Sequence, residues 1–367
     1  MKKTTLMSNK RNKNLAKMAV LMAASLSVTL WSCKDEQVLP PESGDLQTKV
    51  LNDYSQIVCL KTYETLAGKT TQLHLDIQAF VNTPSDNLLN TCRSDWKNAR
   101  EVWENSEAWL FGPVATNEID PRIDTWPVDF VRLDSVLNSN SVFSNAYINS
   151  LEESLKGFHP IEYLLFGLNS NKKASDFTQR EKEYLLALSE NLKDLTTELR
   201  TAWDPQGGNY IHELLNAGSS TGFPTKKSAY EEMVNAMIGI CDEVGNGKIG
   251  EVLTNLDSMG EESPFAKNSI TDFRNNILGV KYAYLSIIGN SDGKGIEDIV
   301  REKNLSLDGK IKQKIDAAIV ALNNITDPFG RAIHTQPIQV QNAVDAINVL
   351  KNELEDGLLP FIQLNIK

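Results

Sequence analysis

The sequence predicts an all-α fold of two packed helical-bundle subdomains with a cleft between them. Apolar residues recur at spacings of three and four along most of the chain, and runs of strict alternation are missing. Clusters of Gly, Pro and Asn punctuate these periodic segments at intervals suited to long helices and short turns. The part expected to fold runs from residue 46 to residue 367, more than one core usually organises, so two subdomains are expected.

Residues 1–32 read as an export signal. Lys2, Lys3, Lys10, Arg11, Lys13 and Lys17 come first with no acid among them, and an apolar run from Ala19 to Trp31 follows, interrupted by Ser25, Ser27 and Thr29. Leu30-Trp31-Ser32-Cys33 resembles the lipobox of bacterial lipoproteins, which marks Cys33 as the lipidated residue. Lys34-Asp35-Glu36 resembles the short acidic tag that sends some lipoproteins to the cell surface. The expected location is the outer membrane, facing the periplasm or the outside, with membrane contact through the anchor alone. Residues 33–45, with Pro40, Pro41, Ser43 and Gly44, read as a tether.

Of the helices, the segment from Thr178 to Leu195 is the plainest. Tyr184, Leu188, Leu192 and Leu195 return on one stripe, and Thr178 and Glu181 have the spacing of a capping box. The others are expected at Val50 to Leu66, Asp86 to Leu110, Ser228 to Val244, Thr271 to Leu285, Leu307 to Ile325 and Val340 to Leu354. Breaks are expected at Gly112-Pro113, Asp120-Pro121, Trp126-Pro127, Gly245-Asn246-Gly247 and Asp327-Pro328. The break from Asp204 to Gly208 divides an N-terminal bundle, 46–206, from a C-terminal bundle, 207–367.

Removing the six cations of residues 1–32 leaves 31 basic against 48 acidic residues, a balance of −17. Such a surface repels nucleic acid. Besides Cys33 there are Cys59, Cys92 and Cys241, without CxxC spacing, so no thiol metal cluster is indicated. A Cys59–Cys92 bridge and three buried thiols are both compatible with the spacing.

Among four histidines, only His159 lies in an assembled segment, Gly157-Phe158-His159-Pro160-Ile161-Glu162. Pro160 suits a first helical position, which would make His159 the cap residue and put Glu162 one turn on, on the same side. An imidazole and a carboxylate so spaced can share a divalent metal, with further ligands from other helices. Glu162 could equally reach back to cap the helix start. The HExxH run of zinc peptidases is missing.

Two other segments supply possible company. Glu107 sits on the helix that feeds the loop 119–129, where Asp124, Trp126 and Asp129 stand among prolines, either lining a cleft or bracing the loop. Later, Asn268, Ser269, Asp272 and Asn276 fall near the start and along one face of a helix, with Ser269 as its expected cap. They either meet a ligand or satisfy one another.

Taken together these blocks resemble the imelysin family of exported bacterial proteins. The signature Gly-x-His-x-x-Glu is present as Gly157, His159 and Glu162, and the blocks 106–113, 120–129, 242–248 and 268–279 match in order. The resemblance covers roughly residues 46 to 360. It implies two helical bundles with the signature at the cleft between them, and a role in iron acquisition with a possible transport partner in the envelope. The expected function is binding of iron, or of an iron-containing small ligand, through His159 and Glu162. Gly157, Glu107, Asp124, Trp126, Asp129, Asn268, Ser269, Asp272 and Asn276 would line the site. One imidazole, many carboxylates and no thiols suit iron in either oxidation state, while another divalent metal or haem stays open. The alternatives are a metal-dependent peptidase with Glu162 as its catalytic group, and a structural or partner-binding module.

Overall fold

Asp45 caps the first helix, its carboxylate accepting from the Thr48 N–H at 2.8 Å. The computed structural model describes residues 45–367, so the expected leader, Cys33 and nearly all of the tether lie outside the described residues. Residues 44–367 form one unit. Its regular structure is helical, apart from a short hairpin pairing Ile287–Ile288 with Ser291–Asp292, the one sheet among the described residues. No helix among them is long and apolar enough to cross a membrane.

The long helices form where the apolar spacing places them, although Lys61–Asn82 runs well past the expected end at Leu66. Helix Gln179–Trp203 has the full Thr178–Glu181 capping box and buries Tyr184, Leu188, Leu192, Leu195 and Leu199 on one stripe. It packs beside helices Lys61–Asn82 and Asp86–Ser106. The chain then turns at Asp204, where the Gly207 N–H returns to the Asp204 carbonyl. A second group follows, built from helices Lys226–Asp242, Ser269–Leu285, Leu305–Asn323 and Pro337–Glu353. Helices Asp86–Ser106 and Ser269–Leu285 form the seam between the groups. Gly279 makes this closeness possible, because a Cβ there would overlap the Asn105 carbonyl.

Further expectations change. Asp120-Pro121 does not break the chain but lies inside the short helical turn Ile119–Asp124. The Gly245-Asn246-Gly247 sequence does not end a helix: a π-helical stretch, Glu243–Glu251, carries the chain through it to Val252–Asn255. Its wider i→i+5 turn brings residues five apart to one face, so Glu243 and Lys248 form an ion pair at 3.4 Å. Nor is His159 a cap. Helix Phe158–Phe166 starts two residues earlier than expected, with Gly157 before it at φ 86° and ψ −156°. Only glycine takes that conformation readily, and a Cβ at Gly157 would also overlap the Ile123 carbonyl. Pro160 still falls in the first turn, where a missing N–H leaves no helical bond unmade. Cys59, Cys92 and Cys241 are buried free thiols.

Glycine geometry gives a paired test. Gly157→Ala should lower unfolding free energy by at least about 2 kcal/mol through strain and backbone overlap. Gly68→Ala, in an exposed helix position with nothing within 4 Å of the added Cβ, should raise it by about 0.5–1 kcal/mol. Denaturant unfolding of the two variants checks both signs, and equal shifts would contradict the geometry.

Candidate functional site

The seam encloses a polar centre around Arg100, whose side chain is fully buried. Helix Asp86–Ser106 buries Leu89, Cys92, Trp96, Ala99 and Trp103, and the same side carries Arg100, Glu104 and then Glu107. These fall at i, i+4 and i+7, so all three charges face inward. Arg100 pairs with Glu104 on its own helix, with Asp124 from the 119–124 turn and with Glu262 from the loop preceding helix Ser269–Leu285. The Trp103 indole N–H also donates to Asp124, at 2.6 Å.

His159 lies against this group, fully buried. Its Nε2 is 3.2 Å from Asp124 and 3.6 Å from Glu262, and its Nδ1 is 3.6 Å from Glu162. Neither ring nitrogen has an aligned hydrogen-bond partner. The Trp126 ring packs 5.0 Å from the imidazole. Glu162 does not cap its own helix. Its Oε1 accepts from the Phe265 and Ala266 N–H groups at 3.0 and 2.7 Å, which leaves Oε2 buried, without a hydrogen bond and near His159. Gly157 serves the site indirectly, since the close approach of Ile123 beside it holds the 119–124 turn against the His159 helix.

The other expected residues divide. Glu107 belongs to the centre: its Oε2 accepts from Asn276 at 2.6 Å and from Lys248 Nζ at 3.0 Å. Asn276 donates to Glu104 as well. Asn268, Ser269 and Asp272 chiefly satisfy one another and the preceding loop. Asn268 and Ser263 donate to Asp272, and Ser269 donates to Glu261 while accepting from the Ser263 N–H. Helix Ser269–Leu285 therefore starts after Asn268, with the Ser269 hydroxyl used for loop bracing and not as its cap. Asp129 is not brought to the centre by its contacts. It caps helix Phe130–Leu137 through the Arg132 N–H and pairs with the Arg132 side chain.

Charge within the centre is unbalanced. Glu104, Glu107, Asp124, Glu162, Glu261, Glu262 and Asp272 are buried there with Arg100, Lys248 and His159 as the cations. Burial raises the carboxyls of Glu104 and Glu162, and raises Glu107 and Asp272 well above the usual range. Asp120 at the margin is pushed up to about 7, chiefly by burial and next by Asp124. Burial opposes charge on Asp124 too, but Arg100 and His159 hold it well below the usual carboxylate range. Burial works against a charged His159, yet Asp124 and Glu162 more than offset it and lift the ring to about 9. The centre is thus a place where positive charge is short, and protons or a cation must make up the difference.

Asp124, His159 and Glu262 each offer a ligand atom within 4.8 Å of the others, as do Glu107, Asp120 and Asp124. Two ligands about 2.1 Å from one ion lie at most about 4.2 Å apart, so an ion in the first set would draw its members together and share Asp124 and Glu262 with Arg100. The donor set of one imidazole and several carboxylates suits iron, manganese or zinc. Arg100, Glu104, Lys248, Glu261 and Glu262 had escaped the reading of the sequence. A detectable signal was the charged i, i+4, i+7 series beside Trp96 and Trp103.

Comparison with known proteins agrees with this architecture. The chain is 27% identical over 356 residues to iron-regulated protein A of Synechococcus elongatus, an alignment spanning 95% of each chain. The crystal structure of a candidate iron-regulated protein A precursor from Parabacteroides distasonis superposes with a TM-score of 0.79 at 26% identity, covering 89% of this chain and 97% of that one. An imelysin-like protein from Psychrobacter arcticum shares the fold, with a TM-score of 0.72 at 13% identity over 89% of this chain and 98% of its own. The model of the imelysin peptidase family M75 matches residues 59–356, and the chain belongs to the imelysin family.

Proposed function

We propose that this chain is an envelope lipoprotein that binds iron, or a small iron-containing ligand, at the buried centre formed by His159, Glu162, Asp124 and Glu262. The observation that carries the reading is His159 itself: a fully buried imidazole with neither nitrogen hydrogen-bonded, facing three carboxylates. A buried ring without aligned hydrogen bonds among excess negative charge suits a cation, which would take the place of the proton that Asp124 and Glu162 favour on the ring. The name of the Synechococcus relative supports iron as that cation. Lipid attachment at Cys33, delivery to the outer membrane and an envelope transport partner belong to the same reading, on the leader pattern in the sequence.

When bound, the ion would draw one imidazole nitrogen and carboxylate oxygens toward itself. The chain's own groups prepare for this. The Phe265 and Ala266 amides hold one oxygen of Glu162 and turn the other toward His159. Arg100 and the Trp103 indole fix Asp124. The family name raises peptide hydrolysis as a second reading, with Glu162 as base. Both His159 and Glu162 are fully buried, so a polypeptide would need the seam to open before reaching them.

Protein purified without chelators and titrated anaerobically with ferrous iron should bind it stoichiometrically, measured by calorimetry and elemental analysis. His159→Ala should remove that binding, and unchanged affinity would sink the assignment. Asp129→Ala should leave binding unchanged and cost about 1 kcal/mol of stability, the usual value of a lost helix cap. Arg100→Ala should cost about 3–5 kcal/mol in denaturant unfolding, since it strands buried carboxylates. A loss under 1 kcal/mol would show that Arg100 does not hold the centre together.

A further inference from the structure

A centre sealed from water needs a way in, and a surface groove reaches its margin at Glu107. The groove is about 330 Å³ and lies between helix Lys226–Asp242 and the turn at 107–110. Glu232 and Glu243 are exposed on its walls, and Glu107, almost wholly buried, is among the residues that line it. No basic residue lines it. Just inside stands Lys248, its side chain 11% exposed. Its Nζ is 3.0 Å from Glu107 and 3.4 Å from Glu243 on the groove side, and 3.6 Å from Glu262 and 3.9 Å from Glu104 on the inner side. Glu262 in turn is 3.6 Å from His159. Carboxylates therefore form a ladder from the surface to the imidazole, with one tethered ammonium part of the way along it.

From this we propose that the groove is the route by which a divalent cation reaches His159, with Lys248 as a resident cation that must be displaced for passage. The inference rests on the binding reading above. The acidic walls raise the local concentration of cations, as like-charged clefts do. The ammonium offsets part of the negative charge of Glu107, Glu104 and Glu262 while no ion is bound, and its flexible stem lets it swing out when a stronger charge arrives. The π-helical turn positions it, because an i→i+5 spacing puts Lys248 beside Glu243 at the groove.

The test is anaerobic stopped-flow mixing of the full chain with ferrous iron, read by quenching of tryptophan fluorescence, with affinity taken from the same titrations. Trp126 beside His159 and Trp103 on Asp124 supply the signal. Glu232→Gln combined with Glu243→Gln should slow association about three- to tenfold at low ionic strength, and the difference should vanish near 0.5 M salt. Lys248→Met should bind at least about tenfold more tightly and faster, while Lys248→Arg keeps the charge and the slow rate. Glu198→Gln, an exposed acid away from the groove, should change nothing. Binding that persists in the rim and Lys248 variants with wild-type rates and salt dependence overturns the route alone. Wild-type protein that binds no ferrous iron overturns the site reading and the route with it.

Discussion

A guanidinium with no exposed surface is held inside a protein only when its charge is met on several sides, because the cost of removing it from water is several kcal/mol. Arg100 meets that condition with carboxylates from three places: Glu104 on its own helix, Asp124 from a turn 24 residues on, and Glu262 from a loop 162 residues on. These partners come from both helix groups. The pairing therefore ties the seam between the groups to a single buried charge, and it determines where Asp124 and Glu262 stand relative to His159.

Around that charge the backbone is arranged with little slack. Gly157 lets the 119–124 turn lie directly on the start of the His159 helix, and Gly279 lets helices Asp86–Ser106 and Ser269–Leu285 close to backbone contact. Amides of Phe265 and Ala266 fix Glu162 from the opposite side. The imidazole is consequently oriented by packing and by its neighbours' positions, while its own nitrogens remain without hydrogen bonds. Preorganisation of this kind leaves the cost of gathering like charges with folding and not with binding.

Much of the helical architecture was legible because it rests on local physics. Apolar spacing, the Thr178–Glu181 box and the Asp204 to Gly208 break each act within a few residues. The pair His159 and Glu162 was visible for the same reason, although the cap was expected at His159 and lies at Gly157, since the decisive fact was Ile123 pressing on Gly157 from another segment. Asp124 and Asp129 look alike in the sequence, five residues apart in one loop. One becomes the partner of Arg100 and the other caps a surface helix, and only tertiary burial distinguishes them. Arg100 and Glu262 could not be paired by spacing at a separation of 162 residues. Lys248 was hidden by a Gly-Asn-Gly sequence that reads as a break and folds as a π turn.

The central claim is that the buried imidazole and its carboxylates form a cation site. Crystals of the protein grown with ferrous iron under anaerobic conditions, and measured on both sides of the iron absorption edge, address it most directly. The account predicts an anomalous peak about 2.0–2.3 Å from a His159 nitrogen and from an oxygen of Asp124, Glu162 or Glu262. A peak only at surface carboxylates, with the His159 ring unmoved and still unbonded in the interior, would contradict it.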